Sequence, residues 1–220
     1  MARSEELMFF FDLDNCLYHK SHGIQSLMRK YILQYFDKLG IPESEAAVLR
    51  ERYYIEYGLS IRGMIQHHQV DPVDFDEQVD GRLPLEDLLK PEPELRKMLE
   101  TLPMRKWILT NAGLQHAKRV LKLLDIEDQF EGITYCNYSE PNFPCKPEVA
   151  MYERAMRDAG VKEHSHCYFV DDSDVNVEAA TKLGWTSVHV ADDPKESNAG
   201  DFQIAAVTDL PQVLPDLWKQ

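Results

Sequence analysis

Phe9-Phe10-Phe11-Asp12-Leu13-Asp14-Asn15-Cys16-Leu17-Tyr18 is the stretch that decides how the rest of the chain is read. Three consecutive phenylalanines leave no polar face, so the run predicts a strand buried on both sides, as in a parallel sheet. Side chains two apart in extended backbone point the same way. Asp12 and Asp14 are therefore expected to face one point just beyond the strand's C-terminal end. Ligands bind at that edge of open α/β sheets. Two carboxylates crowded there repel each other, an arrangement that makes sense when a cation or a shared proton belongs to the site.

Downstream, residues 22–57 are helical in pattern. Ile41-Pro42-Glu43-Ser44 interrupts them, and Pro42 opens a second helix with acidic residues in its first turn. Gly58, Gly63, Pro72, Gly81 and Pro84 then punctuate short helical pieces over 58–89. From Pro91 onward helices and strands alternate. Helices are predicted over 91–102, 114–124, 149–159 and 175–183. Strands are predicted over 104–110, near Ile133, over 166–170 and 186–190, with a last short one at Ile204-Ala205-Ala206-Val207. This alternation predicts an α/β fold, a Rossmann-like and mostly parallel sheet with helices on both faces. Residues 1–18 and 90–220 would form that core, and 19–89 an inserted all-helical cap over the sheet's C-terminal edge.

A chain of 220 residues holds one sizeable domain with an insertion, or two small ones. Its 44% hydrophobic and 28% charged residues fit an ordinary soluble globular protein. With no run of 18 apolar residues, no membrane partner is expected. Met1-Ala2-Arg3-Ser4-Glu5-Glu6 lacks an apolar signal core, so the expected address is cytoplasmic, with the nucleus also open. A net charge of −14 and the lack of a Lys/Arg cluster argue against nucleic acid as a partner. An acidic protein acting on an anion needs local positive charge at its site, above all a metal ion. Cys16, Cys136, Cys145 and Cys167 form no CxxC pair and are expected as free thiols. No strong apolar repeat suggests an obligate dimer, which leaves a monomer or a weak homo-oligomer.

Four polar clusters fall at the predicted strand ends or in the loops beyond them: Asp12/Asp14, Thr110-Asn111, Lys146 in Pro144-Cys145-Lys146-Pro147, and Asp171-Asp172-Ser173-Asp174-Val175-Asn176. Each alone could be a helix cap, a surface lysine or an acidic helix start. Together they specify phosphoryl transfer. A carboxylate nucleophile approaching a phosphate dianion meets like charge, about 4 kcal/mol for each unit pair at about 4 Å and an effective dielectric near 20. Mg²⁺ and a lysine would offset this. Asp12, Asp172 and the backbone carbonyl of Asp14 could supply oxygens to Mg²⁺. Thr110 and nearby backbone N–H groups could hold phosphate oxygens, with Lys146 as a point charge. Asp14 could protonate the leaving alcohol and then deprotonate the attacking water, a role that calls for a raised pKa.

The order Asp-x-Asp, Thr-Asn, Lys-Pro, Asp-Asp-Ser-x-x-Asn resembles the haloacid-dehalogenase-type phosphohydrolase superfamily. The resemblance implies Asp12 as nucleophile, Asp14 as general acid/base, Thr110 as phosphate ligand and Lys146 as stabiliser of nucleophile and phosphate. It implies Asp172 as a Mg²⁺ ligand, Asp171 as a ligand or one shell further out, and Asn176 as the residue that orients Lys146. Within the superfamily, Asp12–Tyr18 with Gly23-Ile24, His67-His68-Gln69-Val70-Asp71, Leu83-Pro84-Leu85, Leu109-Thr110-Asn111-Ala112, Gly132-Ile133-Thr134-Tyr135-Cys136 and Tyr168–Ser173 are similar to fungal-type pyrimidine 5'-nucleotidases. That similarity spans about residues 8 to 190 and implies hydrolysis of nucleoside 5'-monophosphates, pyrimidines preferred. Asn111, Arg62, His68 and Tyr18 are the further candidate substrate contacts. Cys16 departs from the Thr or Val usual at its position.

Other readings share the same clusters. A related phosphatase on nicotinamide mononucleotide, a sugar phosphate or phosphoglycolate would use the same chemistry, and a phosphoglucomutase would return the phosphoryl group to a sugar. A binding or regulatory module without turnover is the reading from another class. His164-Ser165-His166-Cys167 lacks a second ligand pair for zinc, and Cys16 lacks a base at defined spacing for thiol catalysis.

Overall fold

The computed structural model describes residues 6–219. Residues 1–5, within the stretch read above for a leader, lie outside them, as does residue 220. No helix among the described residues is long and apolar enough to cross a membrane.

Strand β1 (Met8–Phe11) lies inside a sheet of six strands. The others are β2 (Arg105–Leu109), β3 (Ile133–Thr134), β4 (Cys167–Asp171), β5 (Thr186–Val190) and β6 (Phe202–Ile204). They stand in the order β3-β2-β1-β4-β5-β6, and every neighbouring pair is parallel. All of β1 is buried, and its side chains alternate between two apolar layers. Phe9 and Phe11 pack with Leu99, Val120 and Leu210 on one face. Met8 and Phe10 pack with Tyr152, Phe169 and Trp185 on the other, where Phe10 stacks on Trp185 at 4.8 Å. Full burial of each such side chain stabilises the fold by roughly 1.5–3 kcal/mol. The sheet is thus the middle of three layers, and its polar groups can emerge only at its ends.

Helices α1 (Ile24–Lys38), α2 (Glu43–Tyr57), α3 (Ser60–His68), α4 (Pro72–Gln78) and α5 (Leu85–Leu88) intervene between β1 and β2. Pro42 precedes α2, as its fixed φ favours. The buried layer that holds Phe10 continues through Cys145 into Tyr53, Ile61 and Met64 of this insert. Gly58 ends α2 at φ 77°, and a Cβ there would lie 2.8 Å from Cys145 Sγ. Glycine thereby lets the insert approach the segment that carries Lys146. The chain continues with α6 (Pro93–Thr101), α7 (Leu114–Leu123), α8 (Val149–Ala159), α9 (Asp174–Lys182) and α10 (Leu210–Val213).

The α/β architecture is the one expected, with most element ends within one or two residues. The last strand differs. It covers Phe202–Ile204 rather than 204–207, pairing Ile204 with Val190. A sheet-edge strand buries less of its surface than a central one, so an apolar run does not mark it. Val207 turns into a 3₁₀ segment instead.

Candidate active site

Strand order alone juxtaposes the first and fourth clusters, because β1 and β4 are neighbours. The amide of Asp12 donates to the Val170 carbonyl at 2.9 Å, which extends the ladder one residue past β1 and fixes the Asp12 backbone. Asp171 ends β4, Asp172 follows it, and both face the same edge as Asp12. Lys146 arrives from the loop before α8 and is 2% exposed. Its Nζ donates to Asp12 Oδ1 at 2.6 Å, Asp171 Oδ2 at 2.6 Å and the Leu109 carbonyl at 2.8 Å. All three ammonium protons are therefore used, and the lysine is held as a fixed point charge.

Asn176 does not reach Lys146 directly. Its Nδ2 donates to both oxygens of Asp171 at 3.1 and 3.2 Å, and Asp171 in turn holds the lysine. Asn111 lies on the other side of that lysine. It accepts from the Lys146 amide at 2.7 Å and donates to the Lys146 carbonyl at 3.0 Å, so its side chain pins the lysine's backbone. Thr110 is 1% exposed, and its hydroxyl accepts from the Ala112 amide at 3.0 Å, which leaves its proton to donate.

Carboxylate oxygens of Asp12, Asp171 and Asp172 lie within 4.8 Å of one another. One ammonium cannot neutralise three such groups. Burial pushes the Asp12 pKa up, and Lys146 only partly opposes this while Asp171 and Asp172 add to it. Burial and the Asp171 charge push Asp172 up to about 7. Burial alone would discharge Lys146, but its two carboxylate partners hold it above the ordinary lysine range. An excess of buried carboxylate oxygen with raised pKa is the donor set that a hard divalent cation suits, so these residues fit Mg²⁺.

Asp14 has a different environment. Its Oδ1 accepts from the Tyr18 hydroxyl at 2.6 Å and faces His116 Nε2 at 2.7 Å. Burial raises the Asp14 pKa, yet His116 by charge and hydrogen bond, and then Tyr18, leave it lowered. The raised value expected for an acid is thus not what this resting arrangement sets. Burial lowers the His116 pKa, but Asp14 outweighs it and brings the ring up to about 9. Cys16, in the loop after Asp12, donates its thiol to the Val170 carbonyl at 3.7 Å, and burial with the nearby Asp12 charge pushes its pKa up. A thiol in that state is a packing group, not a nucleophile.

Residues 8–184 match the family model of haloacid dehalogenase-like hydrolases. The chain belongs to that family. It is 40% identical over 199 residues to Phosphate metabolism protein 8 of Saccharomyces cerevisiae, an alignment covering 84% of this chain and 62% of the yeast protein. The chain thus spans less than two thirds of that relative's length. A phosphatase of the family from Thermococcus onnurineus shares the fold at 22% identity and TM-score 0.59, covering 94% of this chain and 97% of that one. YfnB from Bacillus subtilis, described as bound to magnesium and showing interdomain movement, shares it at 13% identity and TM-score 0.63, covering 96% and 99%.

In this haloacid dehalogenase-like hydrolase, the side chains expected to touch substrate from the insert have protein partners. Arg62 donates to the Tyr57 carbonyl at 2.8 Å, to Cys145 Sγ at 3.1 Å and to Glu148 at 2.5 Å, tying α3 to the Lys146 segment. His68 pairs through Nε2 with the Tyr53 hydroxyl at 2.8 Å. Tyr18 is 2% exposed and spends its hydroxyl on Asp14. Arg62, His68 and Tyr18 thus each hydrogen-bond to other protein groups in this structure. The residue that sequence reading missed is His116. Its only signal was a histidine on the apolar face of α7, beside Ala117 and Val120.

One cavity borders the site, and a second is lined mainly by the helical insert. The first, of about 490 Å³, is lined by Asn15, Lys20, Gln25, Asp172 and His189. The second, of about 370 Å³, is lined by Gln25, Arg29, Arg50, Tyr54, Asp80 and Tyr138. Gln25 borders both, so the space beside Asp172 adjoins space within the helical insert.

Proposed function

We propose that the chain is a Mg²⁺-dependent phosphomonoesterase acting on nucleoside 5'-monophosphates, pyrimidines preferred. The observation that carries the proposal is the buried Lys146 bridging Asp12 and Asp171 beside Asp172. A carboxylate nucleophile needs its charge held and its geometry restricted before it can approach a phosphate dianion.

Asp12 attacks phosphorus through a carboxylate oxygen and the ester P–O bond breaks, with Asp14 delivering a proton to the departing alcohol oxygen. Water, giving a proton to Asp14, then attacks phosphorus. The bond to Asp12 breaks, releasing inorganic phosphate and the free carboxylate. Thr110 donates its hydroxyl to a phosphate oxygen, and Lys146 offsets charge on nucleophile and phosphate. Asn111 and Asn176 keep that lysine in place from either side. Asp12, Asp172 and the Asp14 carbonyl would hold Mg²⁺, with Asp171 ligating or one shell out. When bound, the ion would neutralise charge on the phosphoryl oxygens.

The nucleotide assignment is supported by the insert segments that resemble pyrimidine nucleotidases and by the yeast relative's place in phosphate metabolism. The cavity bounded by Arg29, Tyr54 and Tyr138 falls in the size range of small-ligand sites, roughly 300–1,000 Å³. Tyrosine rings there suit stacking on a base. Residues 19–89 would act as a cap that hinges near Tyr18–Ser21 and Leu89–Pro91, shutting water out of the first step and admitting it for the second.

Phosphate release from uridine, cytidine, adenosine and guanosine 5'-monophosphates, nicotinamide mononucleotide and sugar phosphates, with and without Mg²⁺, tests the reading. Preference for the pyrimidine nucleotides is expected, and Asp12→Asn should abolish it without unfolding the chain. Turnover confined to sugar phosphates would overturn the substrate, and an active Asp12→Asn variant would overturn the mechanism.

A further inference from the structure

Asp14 sits just past the end of β1, in a loop, where nothing in the strand ladder restrains its side chain. A general acid must lie within hydrogen-bond reach of the oxygen it protonates, and a misplacement of about 1 Å can cost about a hundredfold in rate. Two side chains supply the missing restraint. Tyr18, four residues on, donates its hydroxyl to Oδ1 at 2.6 Å. His116, on the buried face of α7 and 1% exposed, meets the same oxygen through Nε2 at 2.7 Å. An ionised carboxylate only accepts, so the ring must be the donor. Both bonds fall on Oδ1, which leaves Oδ2 as the oxygen open to a reacting group.

We propose that His116 is a positioning residue for Asp14, which with Tyr18 clamps Oδ1 and fixes the direction in which Oδ2 points. The inference rests on the phosphomonoesterase reading and adds to it a group on α7 that no cluster at the strand ends contains. The far side of the ring fits this role. Nδ1 is buried without a partner, so no competing bond draws the ring away from Asp14. Asp80, 5% exposed and just past the end of α4, faces the ring from the helical insert, with Arg119 as the opposing charge. Arg119, one turn along α7, donates to the carbonyls of Asp80 and Leu83 and to Glu86. The helix carrying the clamp is thereby braced against the insert.

The test compares an alkyl phosphate, a nucleoside 5'-monophosphate, with p-nitrophenyl phosphate, whose phenolate leaves with little need of a proton. His116→Leu is expected to lower kcat/KM, which reports the steps up to ester cleavage and not the hydrolysis common to both substrates, about a hundredfold on the alkyl ester and only a few-fold on the aryl ester. His116→Gln, whose amide nitrogen reaches the Nε2 position, is expected to restore most of the alkyl rate. An equal loss on both esters, or no rescue by glutamine in a variant that melts like the wild type, overturns the proposal. A second readout needs no turnover. In protein labelled with ¹⁵N-histidine, His116 is expected to show a slowly exchanging Nε2–H resonance that Asp14→Ala abolishes. Lack of that resonance in the wild type overturns the clamp. A wild-type protein that hydrolyses neither ester while showing the resonance would refute the phosphatase reading and leave the clamp standing.

Discussion

Removing the Lys146 ammonium by Lys146→Met should cost more stability than any surface charge in this chain. The lysine makes two ion pairs of 2.6 Å, with side chains 1% exposed for Lys146, 9% for Asp12 and 1% for Asp171. Methionine keeps the volume and the apolar stem but leaves two buried carboxylates facing Asp172. Breaking one partner out of a buried ionic cluster costs roughly 3–5 kcal/mol. For a chain of this size each kcal/mol lowers Tm by roughly 2–4 °C, so a fall of about 6–20 °C is expected at pH 7. Asp12 already has a raised pKa in the fold, and losing the lysine raises it further. A carboxyl whose folded pKa lies above its unfolded value stabilises the fold at low pH and loses that contribution as pH rises through the folded value. The deficit should therefore shrink between pH 7 and pH 5. Thermal unfolding followed by circular dichroism in EDTA, at both pH values, measures it. A variant that melts within about 2 °C of the wild type at pH 7, or whose deficit grows on acidification, would refute the electrostatic account of this cluster.

The other expectations concern the metal site and the insert. Asp172, with its pKa near 7, must ionise to bind a cation, so Mg²⁺ affinity should fall as pH drops below 7, by roughly tenfold per unit for one displaced proton; calorimetric Mg²⁺ titrations at pH 6 and pH 8 that give equal affinities would count against a role for this carboxylate. Asn176→Ala removes the two hydrogen bonds that Asn176 gives Asp171 and should destabilise the chain by roughly 1–3 kcal/mol, measurable by urea unfolding. Gly63→Ala puts a methyl 2.2 Å from the Tyr53 ring and should cost roughly 1–3 kcal/mol through overpacking of α2 against α3, whereas an unchanged melting curve would contradict that contact.

Much was determined by local pattern. A triple phenylalanine with nothing polar in it reads as a strand covered on both sides, and helix–strand alternation after Pro91 implies parallel neighbours. Since ligands of such sheets gather at strand C-termini, the carboxylates after β1 and β4 could be expected together from the chain alone. The edge strand at Phe202–Ile204 was harder, because one-sided burial gives a shorter and weaker signal than a central strand does.

What tertiary structure decided is which polar groups share a partner. Asn111 and Asn176 both read as ligands or orienting groups, yet only the fold shows one pinning the lysine's backbone and the other acting through Asp171. Arg62 and His68 were expected as substrate contacts from the insert, and the packing of α2 on α3 and against the Lys146 segment gives them protein partners as well. His116 shows the limit most plainly. It lies 102 residues from Asp14, on an apolar helix face where a histidine reads as core, and no periodicity carries the distance between them. Sequence pattern reports which face of an element is buried. The pKa of Asp14, by contrast, depends on which charge lies 2.7 Å away, and only the packing of α7 against the loop after β1 determines that.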